Sequence, residues 1–157
     1  YQGASHACKL AKRRGATTGL GGHGMEIYPI DMIDKEFIDY GVVGEGEETF
    51  LSLIEAIEKE DTSAITTIPG LSYKSREGIV AGTPQTVSDL NTIPTLAYDL
   101  IDIKSYQSIF NDHPVMTYMI GRGCPFQCSF CIKNTSDDDI RFRSAKLVVD
   151  DIEQLVS

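Results

Sequence analysis

The chain has no apolar run approaching the roughly 20 residues that a membrane-spanning helix requires, and no stretch patterned like a secretory signal. A membrane partner is therefore not expected. Positive charge is also in short supply: 14 Lys and Arg stand against 23 Asp and Glu, for a formal net charge of −9. A surface that follows a phosphate backbone is normally basic, so no nucleic-acid partner is expected either. Solubility is a sufficient reason for the acidity. Cysteine is sparse, with four in 157 residues and three of those within eight positions, which does not make a disulfide framework. Unpaired thiols fit a reducing compartment, and a cytoplasmic location is expected. At 41% hydrophobic the chain can bury a core, and one domain is the simplest count. It opens at Tyr1 and stops at Ser157, each inside a helical pattern, so both ends are expected to be cuts in a longer protein.

The N-terminal third alternates helix and strand. Ala4 to Arg14 reads as a helix with Ala4, Ala7, Cys8 and Ala11 on one face, basic residues in its last turn and Gly15 at its cap. Thr17 to Leu20 and Ile38 to Val43 read as strands. Each runs into glycines, Gly21-Gly22-His23-Gly24 and Gly44-Glu45-Gly46. A helix from about Glu48 to Lys59 carries Phe50, Leu53, Ile54 and Ile57 at helical spacing. This order predicts an α/β fold with a parallel sheet covered by helices. Gly19-x-Gly21-x-x-Gly24 matches a dinucleotide fingerprint only formally, because Pro29 and a loop, not a helix, are expected after it. His23 reads equally as a rim contact or a surface histidine.

Leu71–Lys74 and Ile79–Ala81 predict a hairpin joined by Ser75-Arg76-Glu77-Gly78, followed by irregular chain to about Tyr106. The aspartates there read as solvated loop and cap residues. Val115 to Ile120 predicts an apolar strand feeding Gly121-Arg122-Gly123-Cys124, which suits an α/β barrel with reactive groups at the carboxyl ends of its strands. Asp137-Asp138-Asp139 reads as a solvated turn. Ser144 is placed to cap a helix whose Ala145, Val148, Val149, Ile152, Leu155 and Val156 form one apolar face, expected to cover that strand.

Cys124-Pro125-Phe126-Gln127-Cys128-Ser129-Phe130-Cys131 places three thiols at C-x3-C-x2-C spacing. Three thiolates can hold three corners of a cubane iron–sulfur cluster, whereas a cluster that only carries electrons normally takes four. The fourth iron then stays open to a small molecule. Zinc is the competing ligand set, although it usually takes two separated pairs of ligands. Cys8, far upstream on a helical face, reads as a small core residue. Arg122 reads as a donor near the cysteines or as a structural ion-pair partner.

With Pro125 after the first cysteine and Phe130 before the third, the loop resembles the radical S-adenosylmethionine (radical SAM) family. The resemblance implies a 4Fe-4S cluster on Cys124, Cys128 and Cys131, whose open iron is chelated by the amino and carboxylate groups of S-adenosylmethionine. It also implies Phe130 beside the adenine, a reductant such as flavodoxin or ferredoxin, and reductive cleavage to a 5′-deoxyadenosyl radical that attacks a small-molecule substrate. Leu20-Gly21-Gly22-His23 and Asp39 to Phe50 resemble the end of the cobalamin-binding domain that precedes many radical SAM barrels. There the glycine pair, Gly21 and Gly22 here, lines the groove for the cobalamin nucleotide tail, and the cobalt-ligating region would lie upstream of Tyr1. Asp89 to Pro94 and Tyr98 to Ile101 are similar to the family's linker, and Ile140 to Ser144 to the segment leading to its first barrel helix.

The implied organisation is the C-terminal part of a Rossmann-like (flavodoxin-like) cobalamin-type domain over 1–61 and an irregular linker with a hairpin over 62–113. The first βα unit of a radical SAM partial TIM barrel follows over 114–157. Methyl transfer, cyclisation and other radical rearrangements all remain open, as does a non-catalytic module holding zinc or a cluster for structure or electron transfer. Bound iron and sulfide with a brown colour select the enzyme, and zinc without visible absorption selects the module. A thiolate is a soft, charged donor that a Ser or Ala side chain does not replace. Changing Cys124, Cys128 or Cys131 to Ala in the full-length protein is expected to abolish the cluster and S-adenosylmethionine cleavage, while Cys8→Ala disturbs packing at most. Iron analysis and a cleavage assay on the four variants check this.

Overall fold

The computed structural model describes residues 2–108, 111–131 and 139–156, with backbone alone at 107, 108 and 111–114. Asp137 and Asp138 of the expected acidic turn lie outside the described residues, and Asp139 is exposed. The chain divides into two compact units, 1–87 and 88–157.

The first unit begins with α1 (Gln2–Arg13), closed by Lys12 and Arg13 in its last turn. Its buried residues are Ser5 and Cys8, not the expected row of alanines, because Ala4 and Ala7 face solvent. Strand β1 (Gly19–Leu20) follows. The loop expected next is instead two short helices, α2 (His23–Ile27) and α3 (Pro29–Ile33), with Pro29 at the first turn of the second, where its missing N–H costs nothing. Proline is compatible with a helix at its first turn, so Pro29 opens α3 where the sequence predicts a loop. Strand β2 (Tyr40–Val42) leads to α4 (Glu47–Glu58), then α5 (Thr62–Ile65), whose Asp61 side chain accepts from the N–H groups of Ser63 and Ala64 as an N-cap.

The expected hairpin is present as β3 (Leu71–Ser75) and β4 (Gly78–Val80). It does not stand apart from the preceding strands. The sheet order is β1-β2-β3-β4, with β1 and β2 parallel and the hairpin added antiparallel, Val42 facing Leu71 and Gly41 facing Ser72. The parallel pairing expected from the helix–strand alternation of the first 60 residues is present in β1 and β2, and the hairpin extends it into a mixed sheet. Because successive residues of a strand point to opposite faces, Val42 and Val43 serve different cores. Val43 joins Met25, Ile33 and Ile38 beneath α2 and α3, while Val42 joins Leu53 and Leu71 beneath α4.

Asp39 ties α1 to the sheet. Its carboxylate receives the Lys12 ammonium and, at 2.9 Å, the Thr18 N–H. Partial burial pushes the Asp39 carboxyl up, but those hydrogen bonds outweigh it and hold the group below its ordinary range.

Beyond the hairpin the chain returns along the carboxyl end of β2. Gln85 pairs in parallel with Gly44, its N–H donating to the Val43 carbonyl at 3.1 Å, and Glu45 receives the Val87 N–H at 2.8 Å.

In the second unit three single turns of 3-10 helix occupy Leu90–Thr92, Tyr98–Leu100 and Ile103–Ser105 within otherwise irregular chain. Asp89 and Asp102 cap the first and last, as expected of aspartates there. Two ribbons follow: β5 (Gln107–Ser108) with β6 (Asn111–Pro114), and β7 (Gly121–Arg122) with β8 (Arg141–Phe142). Val115 to Ile120, expected as a strand, has no partner strand among the described residues and leaves Val115, Met119 and Ile120 exposed. An apolar run becomes a strand only where another strand takes its N–H and C=O groups, and here the two-residue ladder begins at Gly121, with the Ile120 carbonyl accepting from the Arg143 N–H beside it. Helix α6 (Ala145–Val156) lies where expected, but its buried residue is Asp151, whereas Val149, Ile152 and Val156 are exposed.

Gly44 sits at φ +84°, and a Cβ there would fall on the Gln85 backbone. Gly44→Ala is expected to destabilise the first unit by about 1–3 kcal/mol, the usual cost of a left-handed non-glycine residue. A shift of the urea midpoint to lower concentration checks it.

Candidate functional site

Parallel strands β1 and β2 end side by side, and the chain leaves each through glycine. Between these ends and the start of α4 lies a groove of about 410 Å³. Gly19, Gly21, Gly22, Gly44 and Gly46 keep its floor at backbone depth; Leu20, Tyr40, Val42, Phe50 and Leu53 give it apolar walls, with Glu47 as its carboxylate. Gly21 and Gly22, singled out in the sequence, both line it. His23 does not: its ring is mostly exposed and its Nδ1 lies 3.0 Å from the Glu26 carboxylate. Such a groove at the carboxyl ends of parallel strands is where α/β sheets receive ligands.

The three cysteines hang from β7. Gly123, at φ +94°, makes the turn from Arg122 into Cys124, and a Cβ there would fall on the Asp139 carbonyl where the chain returns. The segment thus leaves and re-enters through a narrow neck. Cys124 is half-buried, Cys128 and Cys131 are exposed, and none is in a disulfide. The Cys131 N–H donates to the Cys128 carbonyl at 2.9 Å, folding the last part of the loop into a turn. Phe130 is 90% exposed, so in the protein alone it shields nothing. Among the described residues no three His, Cys, Asp or Glu side chains are gathered to hold a metal. In number and softness the donors nevertheless match three corners of an iron–sulfur cluster.

The neck is held by a polar cluster that the sequence reading missed. Arg143 and Asp151 form a buried ion pair, with side chains 8% and 4% exposed and Nε 2.8 Å from Oδ2. The guanidinium Nη1 also donates to the carbonyls of Leu90 at 2.8 Å and Ile93 at 2.6 Å. The hydroxyls of Thr95 and Tyr118 both donate to the Asp151 carboxylate. These hydrogen bonds, from Thr95 first and then Tyr118, overcome the cost of burial and, with Arg143, hold the Asp151 carboxyl below its ordinary range. Burial, and then the Asp151 charge, pushes the Tyr118 and Tyr98 phenols up. One signal was legible: Val148, Asp151, Ile152 and Leu155 are spaced i, i+3, i+4, i+7, which puts a carboxylate inside the row taken as wholly apolar.

No protein-family model matches the chain. Among curated proteins it is 36% identical, over 88% of its length and 26% of the relative's, to an anaerobic magnesium-protoporphyrin IX monomethyl ester cyclase of Rubrivivax gelatinosus. It is 34% identical, over 71% of its length and 24% of the relative's, to an uncharacterized methyltransferase of Pyrococcus horikoshii. Among solved structures it is similar to TsrM of Kitasatospora setae, a radical S-adenosylmethionine methyltransferase with cobalamin and a [4Fe-4S] cluster bound. The TM-score is 0.62, with 24% identity over 97% of this chain and 31% of that one. A second structure of TsrM, with tryptophan and an S-adenosylmethionine analogue bound, matches at a TM-score of 0.60. The chain therefore spans about a quarter of the length of these curated relatives, and the likeness to TsrM is one of fold.

Asp151→Ala leaves a buried guanidinium without its counter-charge and is expected to cost the second unit roughly 3 kcal/mol. Because the folded-state carboxyl sits below its ordinary 3.8, the stability it confers is present above that value and is lost as pH falls through the folded pKa. The raised tyrosines give the opposite limb, with stability falling as pH climbs past 10.0. Urea midpoints measured across pH check both limbs, and Asp151→Asn should flatten the acid one.

Proposed function

We infer the function from the family to which this chain belongs, the radical SAM proteins of the cobalamin-binding-domain type. The chain is part of an enzyme that holds a 4Fe-4S cluster through Cys124, Cys128 and Cys131 and uses S-adenosylmethionine to begin radical chemistry on a small molecule. The observation that carries this reading is the loop itself: three undisulfided thiols at C-x3-C-x2-C spacing, hung from one narrow neck. When bound, the cluster supplies the electron that cleaves S-adenosylmethionine. The protein's part is to position and shield. Cys124, beside the neck, anchors the loop, and the turn at Cys128–Cys131 brings the other two thiolates round. Phe130, exposed in the protein alone, covers the adenine of bound S-adenosylmethionine. A protein reductant of the flavodoxin or ferredoxin kind delivers the electron.

The groove of the first unit takes the nucleotide tail of cobalamin, with Gly21 and Gly22 lining its floor. Residues 1–61 are then the end of the cobalamin-type domain, 62–113 the connector and 114–157 the start of the radical SAM domain. Among the described residues no helix is long and apolar enough to cross a membrane. Methyl transfer and cyclisation both fit the reading, since relatives carrying either name match this chain at similar identity. A non-catalytic zinc module has less support, because among the described residues no second pair of ligands accompanies the three thiols.

Anaerobic reconstitution of the full-length protein is expected to give a brown protein containing iron and sulfide, whose spectrum changes on addition of S-adenosylmethionine. A colourless zinc protein would overturn the reading. For the groove, Gly21→Leu introduces a side chain where the floor is backbone. Overpacking of that kind is expected to weaken cobalamin binding by about tenfold or more, measured by titrating cobalamin into wild type and variant.

A further inference from the structure

The Arg143–Asp151 pair is neither among the cysteines nor among the residues lining the groove, yet its bonds converge on the segment that carries the cysteines. The outward path runs through Tyr118, Ile120, Gly121 and Arg122 to Cys124, and the return path through Arg141, Phe142 and Arg143. Between the two runs a ladder of only two residues per strand, Gly121 opposite Phe142 and Arg122 opposite Arg141. A two-stranded ribbon that short is marginal in water without support. Support comes from below. The Arg143 N–H extends the ladder to the Ile120 carbonyl at 2.9 Å. Its guanidinium enters Asp151 on α6, and the same carboxylate receives the Tyr118 hydroxyl from the outward path. One buried carboxylate thus holds both paths and fastens them to a helix and to the 90–95 segment.

We propose that Arg143 and Asp151 are positioning residues for the cysteine loop. They set the separation and direction of the two chain ends from which Cys124, Cys128 and Cys131 are presented, so that the three thiolates meet one cluster. This rests on the reading of the three cysteines as cluster ligands. Neither residue is one of the cysteines read as ligands, and both side chains are buried, so their influence on the loop passes through the chain. They act as outer supports do at metal sites, where loss of such a partner weakens the metal site about 10- to 100-fold although no ligand is changed.

The test uses the full-length protein with Asp151→Asn, Arg143→Lys and the milder Tyr118→Phe, which keeps the ion pair. Leu147→Ala, on the same helix and half-buried, serves as a control for stability alone. Two quantities are read beside the melting temperature: amide hydrogen exchange at 120–124 in the cluster-free protein, and the half-life of the reconstituted cluster under an iron chelator. Asp151→Asn and Arg143→Lys are expected to speed exchange at 120–124 and shorten the half-life by about tenfold, the low end for an outer support. Tyr118→Phe should fall between these and wild type, and Leu147→Ala should change neither at an equal loss of melting temperature. The proposal is overturned if the ion-pair variants match wild type in exchange, or if Leu147→Ala reproduces their effects. Should the wild type hold no cluster, the assignment of the cysteines fails. The exchange measurement still decides whether the pair holds the neck.

Discussion

A guanidinium taken out of water must find a partner for its donors or destabilise whatever buries it. Arg143 meets that demand by drawing in segments that sequence distance would keep apart: the carbonyls of Leu90 and Ile93, and the carboxylate of Asp151 on α6. Asp151 in turn has more accepting capacity than one arginine fills, and Thr95 and Tyr118 take up the rest. The second unit has short ribbons and little buried apolar surface, since Leu90 and Tyr98 are its buried hydrophobic residues among those described. Polar satisfaction therefore does in this unit what an apolar core does in the other. The cluster is directional, so the neck it supports has a defined geometry instead of a merely compact one.

The first unit is built on the opposite principle. Its sheet sandwiches Val43 and Val42 into separate cores, and the helices are held by burial of Met25, Ile33, Ile38, Leu53 and Leu71. Where the parallel strands end, side chains give way to backbone, and that change from packed core to bare glycine floor is what leaves a groove. The core fixes the strand ends, the strand ends fix the glycines, and the returning chain at Gln85 to Val87 braces the Gly44–Glu45 loop that forms part of the floor.

Much of this was legible in residue order. Periodicity located α1, α4 and α6, the turn residues located the hairpin, and the glycines after each strand located the groove. The cysteine spacing, with Pro125 and Phe130 within it, carried the resemblance to the family. What escaped depended on partners distant in sequence. Val115 to Ile120 has the composition of a strand, but composition does not supply the neighbour that pairing requires. A loop is expected around Pro29, although proline at a first turn starts a helix. Asp151 sat inside an apolar row and was passed over, because its value lies in Arg143, Thr95 and Tyr118, and nothing local announces them.

The way the hairpin joins the sheet bears on how the chain divides into separable pieces. Strand β3 is the antiparallel neighbour of β2 over Tyr40 to Val42, and Leu71 completes the core that Val42 and Leu53 begin. A cut at residue 61 would strip the outer half of the sheet and turn β2, an interior strand, into a bare edge with unpaired N–H and C=O groups, the kind of surface that recruits other chains. The shortest segment that carries the groove intact therefore runs on through the hairpin to Val87, whose N–H is still engaged by Glu45. The contact boundary of the chain lies just past that point, between Val87 and Ser88 and beyond the last helix of the α/β pattern.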